Sequence, residues 1–351
     1  MEACALIWDI ARLRIFDVVT TSKRFRIVRP YLKEKRILVT GGAGFIGSHL
    51  VEELIRRKHE VIVLDNLSTG VLNNLPDNKW LTFVRGDIRD LSLVDNLVKD
   101  SDMVFHLAEF IPTTKSYGSG HVIKYSVDDP LKDFDVSTRG TLIVLNSAKK
   151  YGRKLVFTST AAVYGGAKFL LKESFRPRPI SPYGASKLCA EVYVKLYSRI
   201  YHMPTSIVRL FNVFGPRQSK YVMYDMLLKL EKNPNGLQML GTGQETRDFV
   251  YVKDAVKALI LVAQDEIANG QIYNVGSGEP TRIKELVNAM LGILDVKPDV
   301  RFLGSSWKGD VKTLVADISK ISKIGYKPEY SLEKGLKELI HWFRSENKNL
   351  Q

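Results

Sequence analysis

Cysteine is scarce. Cys4 and Cys189 are the only two in 351 residues, too few for a disulfide framework. Six scattered histidines add no zinc-ligand spacing, so no metal site is expected. A reducing cytoplasm fits this usage. Long apolar runs are also missing. No stretch reaches the roughly 18 uncharged apolar residues of a spanning helix, so no membrane partner is expected. There is no internal repeat, no low-complexity linker and no recognised nucleic-acid motif. Acidic residues are outnumbered, 38 against 52 Lys and Arg, which leaves a net charge of +14. A basic chain attracts anions. Yet residues 1–36 hold nine basic and four acidic residues, so +5 sits there and +9 is dispersed among acids elsewhere. Most of this charge reads as a solvated surface, and no nucleic-acid partner is expected.

Apolar content of 45% is that of a globular protein. The chain is long enough for one large domain or two smaller ones. Three features carry chemistry. The first is Tyr183-Gly184-Ala185-Ser186-Lys187. Residues four apart share a helix face. An ammonium there favours the phenolate and lowers the ordinary tyrosine pKa of about 10, which suits a general base. Alone the spacing is common on solvated helices. The second feature is Val39-Thr40-Gly41-Gly42-Ala43-Gly44-Phe45-Ile46-Gly47-Ser48-His49-Leu50, between an apolar run and a helical pattern. Strand, glycine turn, helix is the setting of a dinucleotide site. Both Gly42-x-Gly44-x-x-Gly47 and Gly41-x-x-Gly44-x-x-Gly47 fit the spacing. Such glycines let the backbone approach a pyrophosphate, which the helix N-terminus then holds. The third is Asp65, ending the run Val61–Leu64. An acid about 20 residues beyond the glycines bonds the ribose 2′-hydroxyl and repels a 2′-phosphate, so NAD is favoured over NADP.

Strands alternate with helical patterns along most of the chain. Strands are expected at Ile37–Val39, Val61–Leu64, Leu81–Val84, Met103–Leu107, Leu155–Phe157 and Ser206–Val208. Helices are expected near 131–151 and 183–201. This order predicts an α/β fold, a doubly wound parallel (Rossmann) sheet, with ligands at the carboxyl ends of the strands. After Phe211-Asn212 turn signals multiply. Helices are expected near 252–264, 281–294 and 331–343, and Ile272–Val275 is a candidate return to the sheet. A smaller discontinuous α/β substrate lobe at the C-terminus follows. The expected division is an extension of unknown role at 1–35, a cofactor domain at 36–213 with 250–277, and the substrate lobe at 214–249 with 278–347. Residues 1–35 show no basic stretch ahead of an apolar run and no clear cleavage site, so a signal peptide is disfavoured. A basic arm or an upstream start without function fits better.

The whole set of motifs resembles the extended short-chain dehydrogenase/reductase family, and within it the UDP-galactose (UDP-glucose) 4-epimerases. The resemblance covers about residues 36–347. It is carried by Thr40–Leu50, Asp65–Gly70, Gly86-Asp87-Ile88, His106-Leu107-Ala108, Thr158–Gly165, Ser181–Lys187, Arg209–Asn212, Thr246–Tyr251, Asn274–Gly278, and Gly309-Asp310 before Ala316-Asp317. It implies a tightly held NAD that is regenerated each turnover. It implies that Tyr183 takes the proton of the sugar 4-hydroxyl while C4 yields a hydride, and that the 4-keto sugar then turns and is reduced on its other face. Thr160 would bond the reacting oxygen. Lys187 would bond the nicotinamide ribose and hold Tyr183 as phenolate. Around the cofactor the resemblance places Gly41, Gly44, Phe45, Ile46 and Gly47 at the pyrophosphate, and Asp65 at the ribose. Asp87 and Ile88 would lie beside the adenine. Asn66, Ser68, Thr69, Gly70, Leu107, Ala108, Thr158 and Phe211 complete the cofactor set. Asn212, Arg247 and Asp310 would contact the substrate with Thr160, an arginine suiting a diphosphate. A homodimer is implied through helices near 131–151 and 183–201, with Val192, Val194, Leu196 and Ile200 as the apolar face.

Several positions depart from that pattern. Trp307 stands where a diphosphate-binding arginine is usual, with Lys308 beside it as a point charge without bidentate geometry. Ser137 replaces a cofactor-side asparagine, and Glu109 replaces the second alanine of His-Leu-Ala-Ala. The loop from Ile111 to Ser126, with Lys115, Tyr117, His121 and Lys124, is longer than usual and reads equally as a substrate-shaping or a variable surface loop. Ala161-Ala162 occupy the places of the extra acid and base of sugar dehydratases, which disfavours elimination chemistry. A 4-ketoreductase and a non-catalytic NAD-binding regulator are the remaining rivals. Leu314 aligns with a sugar-pocket position and leaves UDP-galactose, UDP-N-acetylgalactosamine and a uronic acid all open.

Overall fold

The computed structural model describes residues 35–110, 122–166, 170–304 and 311–346. The sequence-based readings on residues 1–34, Lys115, Tyr117, His121, Trp307, Lys308 and Asp310 lie outside it. So does the side chain of Lys124.

Short runs of Val, Ile, Leu and Phe become strands, because helices cover both faces of a parallel sheet and its inner strands are buried twice over, while the edge strand at Leu81–Arg85 stays partly open. These are β1 (Arg36–Thr40), β2 (Glu60–Asp65), β3 (Leu81–Arg85), β4 (Met103–His106), β5 (Lys154–Thr160), β6 (Thr205–Leu210) and β10 (Gln271–Val275). They form one seven-stranded sheet in the order β10-β6-β5-β4-β1-β2-β3, with every neighbouring pair parallel. Side chains alternate between the faces. Ile37 and Val39 join the Phe45–Arg56 and Val252–Gln264 helices. Leu38 joins the helices Leu91–Lys99, Thr141–Lys150 and Pro182–Tyr201 on the other side. Burying each Val or Leu of this kind contributes about 1.5–3 kcal/mol. The strand order reverses between β1 and β4, so a crevice opens at their carboxyl ends. Thr40, Asp65, His106 and Thr160 end their strands there.

A second group of elements follows β6. β7 (Asn212–Phe214), β9 (Thr246–Tyr251), β11 (Pro280–Arg282) and β13 (Thr313–Leu314) make a small mixed sheet, and β8 (Gly236–Met239) pairs with β12 (Asp299–Phe302). Helices Tyr221–Lys232, Ile283–Leu294 and Leu332–Glu346 share a core there with Phe214, Phe249 and Tyr251. Among the described residues no helix is long and apolar enough to cross a membrane.

The structure departs from the sequence reading in four places. Residues Val122–Asp128 are helical, which shortens the loop expected up to Ser126. The helix expected over 131–151 is broken by a π-helical turn at Asp135–Gly140, a distortion common at functional sites. Helices Leu91–Lys99 and Tyr221–Lys232 are additional. Val194 belongs to the core and not to the exposed face, while Val192, Leu196 and Ile200 are exposed.

Candidate active site

The glycine turn is shaped by contact. Gly41 has φ +71°, and a Cβ there would lie 2.7 Å from the Ala108 nitrogen. Gly44 caps the Phe45–Arg56 helix, with no side-chain cap and no acid in the first turn. The first N–H groups therefore keep their positive field for an anion. Phe45 and Ile46, both partly buried, pack their side chains against the second core. At the end of β2, Asp65 accepts from Ala43 N (3.0 Å) and Leu67 N (2.9 Å). Burial raises its pKa. The loop Asn66–Gly70 folds back over the turn, where Val71 N donates to Ala43 O and Gly70 lies against the Asp65 carboxylate. Asn66 donates to Asp87, and Arg89 grips Asp87 through Nε and Nη2. These bonds hold the Asp87 carboxyl down at about 2. Ile88 is buried beside Gly140. An uncapped helix N-terminus, a carboxylate fixed at the next strand end and an apolar residue beside a second strand end fit a dinucleotide.

β4 is tied to the turn by a hydrogen-bonded histidine. Thr141 gives its hydroxyl proton to Ser137 O, so it accepts from His106 Nε2 (3.0 Å). His106 Nδ1 then accepts from Thr40 Oγ1 (2.7 Å), which in turn accepts from Ala108 N (3.2 Å). Burial, with the Lys187 charge, pushes His106 down to about 3 and keeps the ring neutral. This chain fixes the course of Leu107-Ala108-Glu109. Thr158 spends its hydroxyl on His106 O, which joins β5 to β4.

Thr160, Tyr183 and Lys187 come together at the end of β5. Thr160 Oγ1 accepts from Ala162 N and caps the turn Ala161–Tyr164. Ser181 caps the Pro182–Tyr201 helix by accepting from Gly184 N, with Pro182 in the first turn. A Cβ on Gly184 would sit 2.7 Å from Ala162 O, so the glycine lets this helix lie against the turn that carries Thr160. The Tyr183 phenol lies near Thr160 and Glu109, both of which bear on its ionisation. Lys187, 1% exposed, places Nζ 3.5 Å from Glu109 Oε2 and over the Phe157 ring at 4.5 Å.

Lys187 also pairs with Glu109, an acid that the sequence pattern gave no role. Burial first, then the Glu109 charge, push the Tyr183 phenol well above its ordinary value, while Thr160 acts the other way. Burial also raises Glu109, although Lys187 opposes it, and the nearby Asp133 charge adds to the rise. Tyr221, at φ +74°, presents a phenol raised by burial and by Glu109. Burial alone brings the adjacent Lys220 down to about 8. Glu109 stands out in the sequence only as a departure from the family pattern, and Tyr221, Lys220, Asp133 and Arg89 carry no sequence signal of a role here. Their signal is tertiary, apart from the acid at 109.

On the substrate side, Asn212 donates to Asp248 O (3.0 Å), and Arg247 Nη1 to Thr246 O (3.0 Å). Leu314 pairs with Arg247 across β13 and β9 and clusters with Ala161 and Phe211. Phe211 is buried against Tyr164. Beneath lies a closed network. Arg209 binds both oxygens of Glu191, Ser159 donates to Glu191, and Arg209 and Asn274 hold the Tyr164 hydroxyl.

Residues 37–276 match the NAD dependent epimerase/dehydratase family. The chain is 37% identical to a putative UDP-glucose 4-epimerase of Methanocaldococcus jannaschii over 89% of this chain and 99% of that one. Two solved structures are also similar. A UDP-N-acetylglucosamine 4-epimerase of Methanobrevibacter ruminantium, solved with UDP-N-acetylmuramic acid, aligns with TM-score 0.82 and 35% identity over 90% of this chain and 100% of that one. A UDP-glucose 4-epimerase of Thermus thermophilus, solved with NAD, aligns with TM-score 0.77 and 34% identity over 88% and 99%.

Proposed function

The chain belongs to the NAD-dependent epimerase/dehydratase family, with NAD as its cofactor and nucleotide sugars as the family's substrates, and we propose that it is a nucleotide-sugar 4-epimerase acting on UDP-galactose and UDP-glucose. The observation that carries this reading is the meeting of Thr160, Tyr183 and Lys187 beside Ala161 and Ala162, which offer no acid or base for elimination. Bound NAD supplies the hydride acceptor and donor at sugar C4. Tyr183 moves the proton of the 4-hydroxyl. Thr160 orients that oxygen through its own hydroxyl. Lys187 supplies a fixed positive charge in a dry site, where charge acts strongly. The backbone from Gly41 to Gly47 and the Asp65 carboxylate hold the dinucleotide, with Asn66–Gly70, Asp87, Ile88, Leu107, Ala108, Thr158 and Phe211 around it. Asn212, Arg247 and Asp310 take the nucleotide diphosphate side. We assign 36–213 with 250–277 to the cofactor domain and 214–249 with 278–347 to the substrate lobe. The protein works as a homodimer in the cytoplasm.

The similarity to the Methanobrevibacter enzyme favours one second reading, the same chemistry on a UDP-N-acetylhexosamine. The test incubates purified protein, without added NAD, with UDP-galactose and in parallel with UDP-N-acetylgalactosamine. Epimer formation that falls by about 10²–10⁴-fold in Tyr183→Phe is expected. Turnover of neither sugar by NAD-loaded protein refutes the 4-epimerase assignment.

A further inference from the structure

We propose that the cavity at the amino end of β10 is a second binding site, separate from the catalytic crevice, for a small multivalent phosphate anion. It stands whichever sugar the crevice takes. The cavity holds about 380 Å³, and its lining includes Lys172, Glu173, Ser174, Lys195, Gln271 and Lys320. Gln271 opens β10, an edge strand of the large sheet, and pairs with Ser206 near the start of β6. Thr160 pairs with Leu210, four residues further along β6. Four residues are about 13 Å of strand, which sets this cavity apart from the carboxyl ends where Thr160, Tyr183 and Lys187 meet.

Positive charge is what this space has in excess. Lys172 comes from the segment ahead of the Pro182–Tyr201 helix, Lys195 from that helix, and Lys320 from the short helix Ser319–Ser322. Parts far apart in sequence thus bring three ammonium groups together. The lining holds one carboxylate, and Glu173 Oε1 already accepts from Asn274 N (2.8 Å). Asp317, outside this lining, lies 3.8 Å from Lys172, but that lysine is 58% exposed, so the pair is weak. Lys195 and Lys320 have no salt bridge among the described residues. Lys320 is half-buried. Its Nζ donates to Ile272 O (2.8 Å) and Gln271 Oε1 (3.1 Å) and lies over the Tyr273 ring at 4.9 Å. None of these partners is an anion. Burial lowers the Lys320 pKa; Glu173 opposes this, and the charges of Arg209 and Lys195 add to the fall. Lysine on an edge strand guards it against pairing with another chain, which accounts for Lys320 but not for Lys172 and Lys195 around the same cavity. A bound anion would satisfy all three. Lysine is a compact point charge, which suits phosphate oxygens. The Ser174 hydroxyl and the Gln271 amide nitrogen add donors at the wall. The volume is at the small end for a ligand site and leaves room for a diphosphate or a sugar phosphate. Lys195 shares its helix with Tyr183, so an anion here would also tie that helix to the sheet edge.

The experiment is calorimetric titration at constant ionic strength, on NAD-loaded protein so that the cofactor's own pyrophosphate place is filled. Arg247→Gln is the background, because it removes the diphosphate contact assigned to the crevice. Inorganic diphosphate is the first probe and a hexose 1-phosphate the second. One diphosphate per chain is expected to bind in this background. Adding Lys172→Gln and Lys195→Gln is expected to weaken binding about tenfold or more. Adding Lys172→Arg and Lys195→Arg instead keeps it within about threefold, since the charges stay in place. The tighter probe tells a free polyphosphate from a phosphorylated metabolite, and either one supports the site. Absence of binding in the Arg247→Gln background overturns the proposal. So does binding that the paired glutamine changes leave as it was, and so does an equal loss in the arginine pair, which would trace the effect to packing and not to charge. No sugar turnover is measured, so failure of the functional reading leaves this result intact.

Discussion

At the residue scale, neutral buried histidines give the protein an acid sensitivity separate from its chemistry. His49 sits at the edge of Phe45 and donates from Nε2 to Pro216 O (3.0 Å), and His106 lies between Thr40 and Thr141. Burial, first of all, brings them to about 4 and about 3, from an ordinary value of 6.5. Between 6.5 and those values the unfolded chain binds protons that the folded chain refuses. Stability therefore falls as the pH drops through that window, by about 1.4 kcal/mol per pH unit for each histidine. Asp65, Asp248 and Asp254 are raised by burial and push the opposite way. They are the same in a His49→Gln/His106→Gln variant, so the difference between the two proteins isolates the histidines. Urea midpoints measured at pH 7 and pH 5 are expected to drop more in wild type than in the variant. Equal drops would show that neither ring is held neutral.

At the scale of elements, the Pro182–Tyr201 helix does most to build the site, and its seating on the Thr160 turn is testable. Gly184→Ala puts a Cβ 2.7 Å from Ala162 O and 3.0 Å from Pro179 Cβ. Overpacking of this kind costs about 1–3 kcal/mol, and a shift of about 1 Å costs catalysis on the order of 10²-fold. Gly184→Ala is therefore expected to lower both the urea midpoint and kcat, whereas Ala185→Ser, on the exposed side of the same turn, leaves both near wild type. A fully active Gly184→Ala would mean that the close approach is dispensable. How much of this was legible beforehand follows from the physics of each element. The sheet strands were readable because a strand buried on both faces needs an unbroken apolar run, as in Ile37–Val39 and Val61–Leu64. The Tyr183–Lys187 face was readable because a helix repeats every 3.6 residues whatever surrounds it. Glu109 was visible as an odd residue, but its contacts lie on a helix more than 70 positions away, and no local pattern encodes them. The left-handed Tyr221 and the π-turn through Ser137 are settled by packing against neighbours. Val194 lies in the core, which its sequence could not show, because a helix that is apolar on two sides does not say which side meets the sheet.

At the scale of the whole molecule, the unresolved demand is apolar surface. Val192, Tyr193, Leu196, Ile200 and Tyr201 stand exposed along one helix, and Ile200 is 59% exposed. The short helices Val122–Asp128 and Pro130–Phe134 pack on that same helix and add Val127, Leu131 and Phe134, with Leu131 82% exposed. Single exposed apolar side chains are ordinary, but several on helices packed together suit an association surface. The occupant that fits is a second copy of the chain related by a two-fold axis, since such an interface pairs one patch with itself. A stable dimer needs about 800 Å² from each partner, within reach of three helices. The active-site groups Tyr183 and Lys187 project from the first two turns of this helix, so dimerisation would also brace them. Sedimentation at micromolar concentration is expected to give twice the chain mass. Leu196→Glu combined with Ile200→Glu is expected to give the single mass and to lower Tm, because two buried glutamates per copy would face their symmetry mates. Wild type has a Tm that rises with protein concentration if the copies are linked, and the double variant has one that does not. A wild-type protein of single mass whose Tm ignores concentration would leave this patch without a partner copy and rule out the dimer.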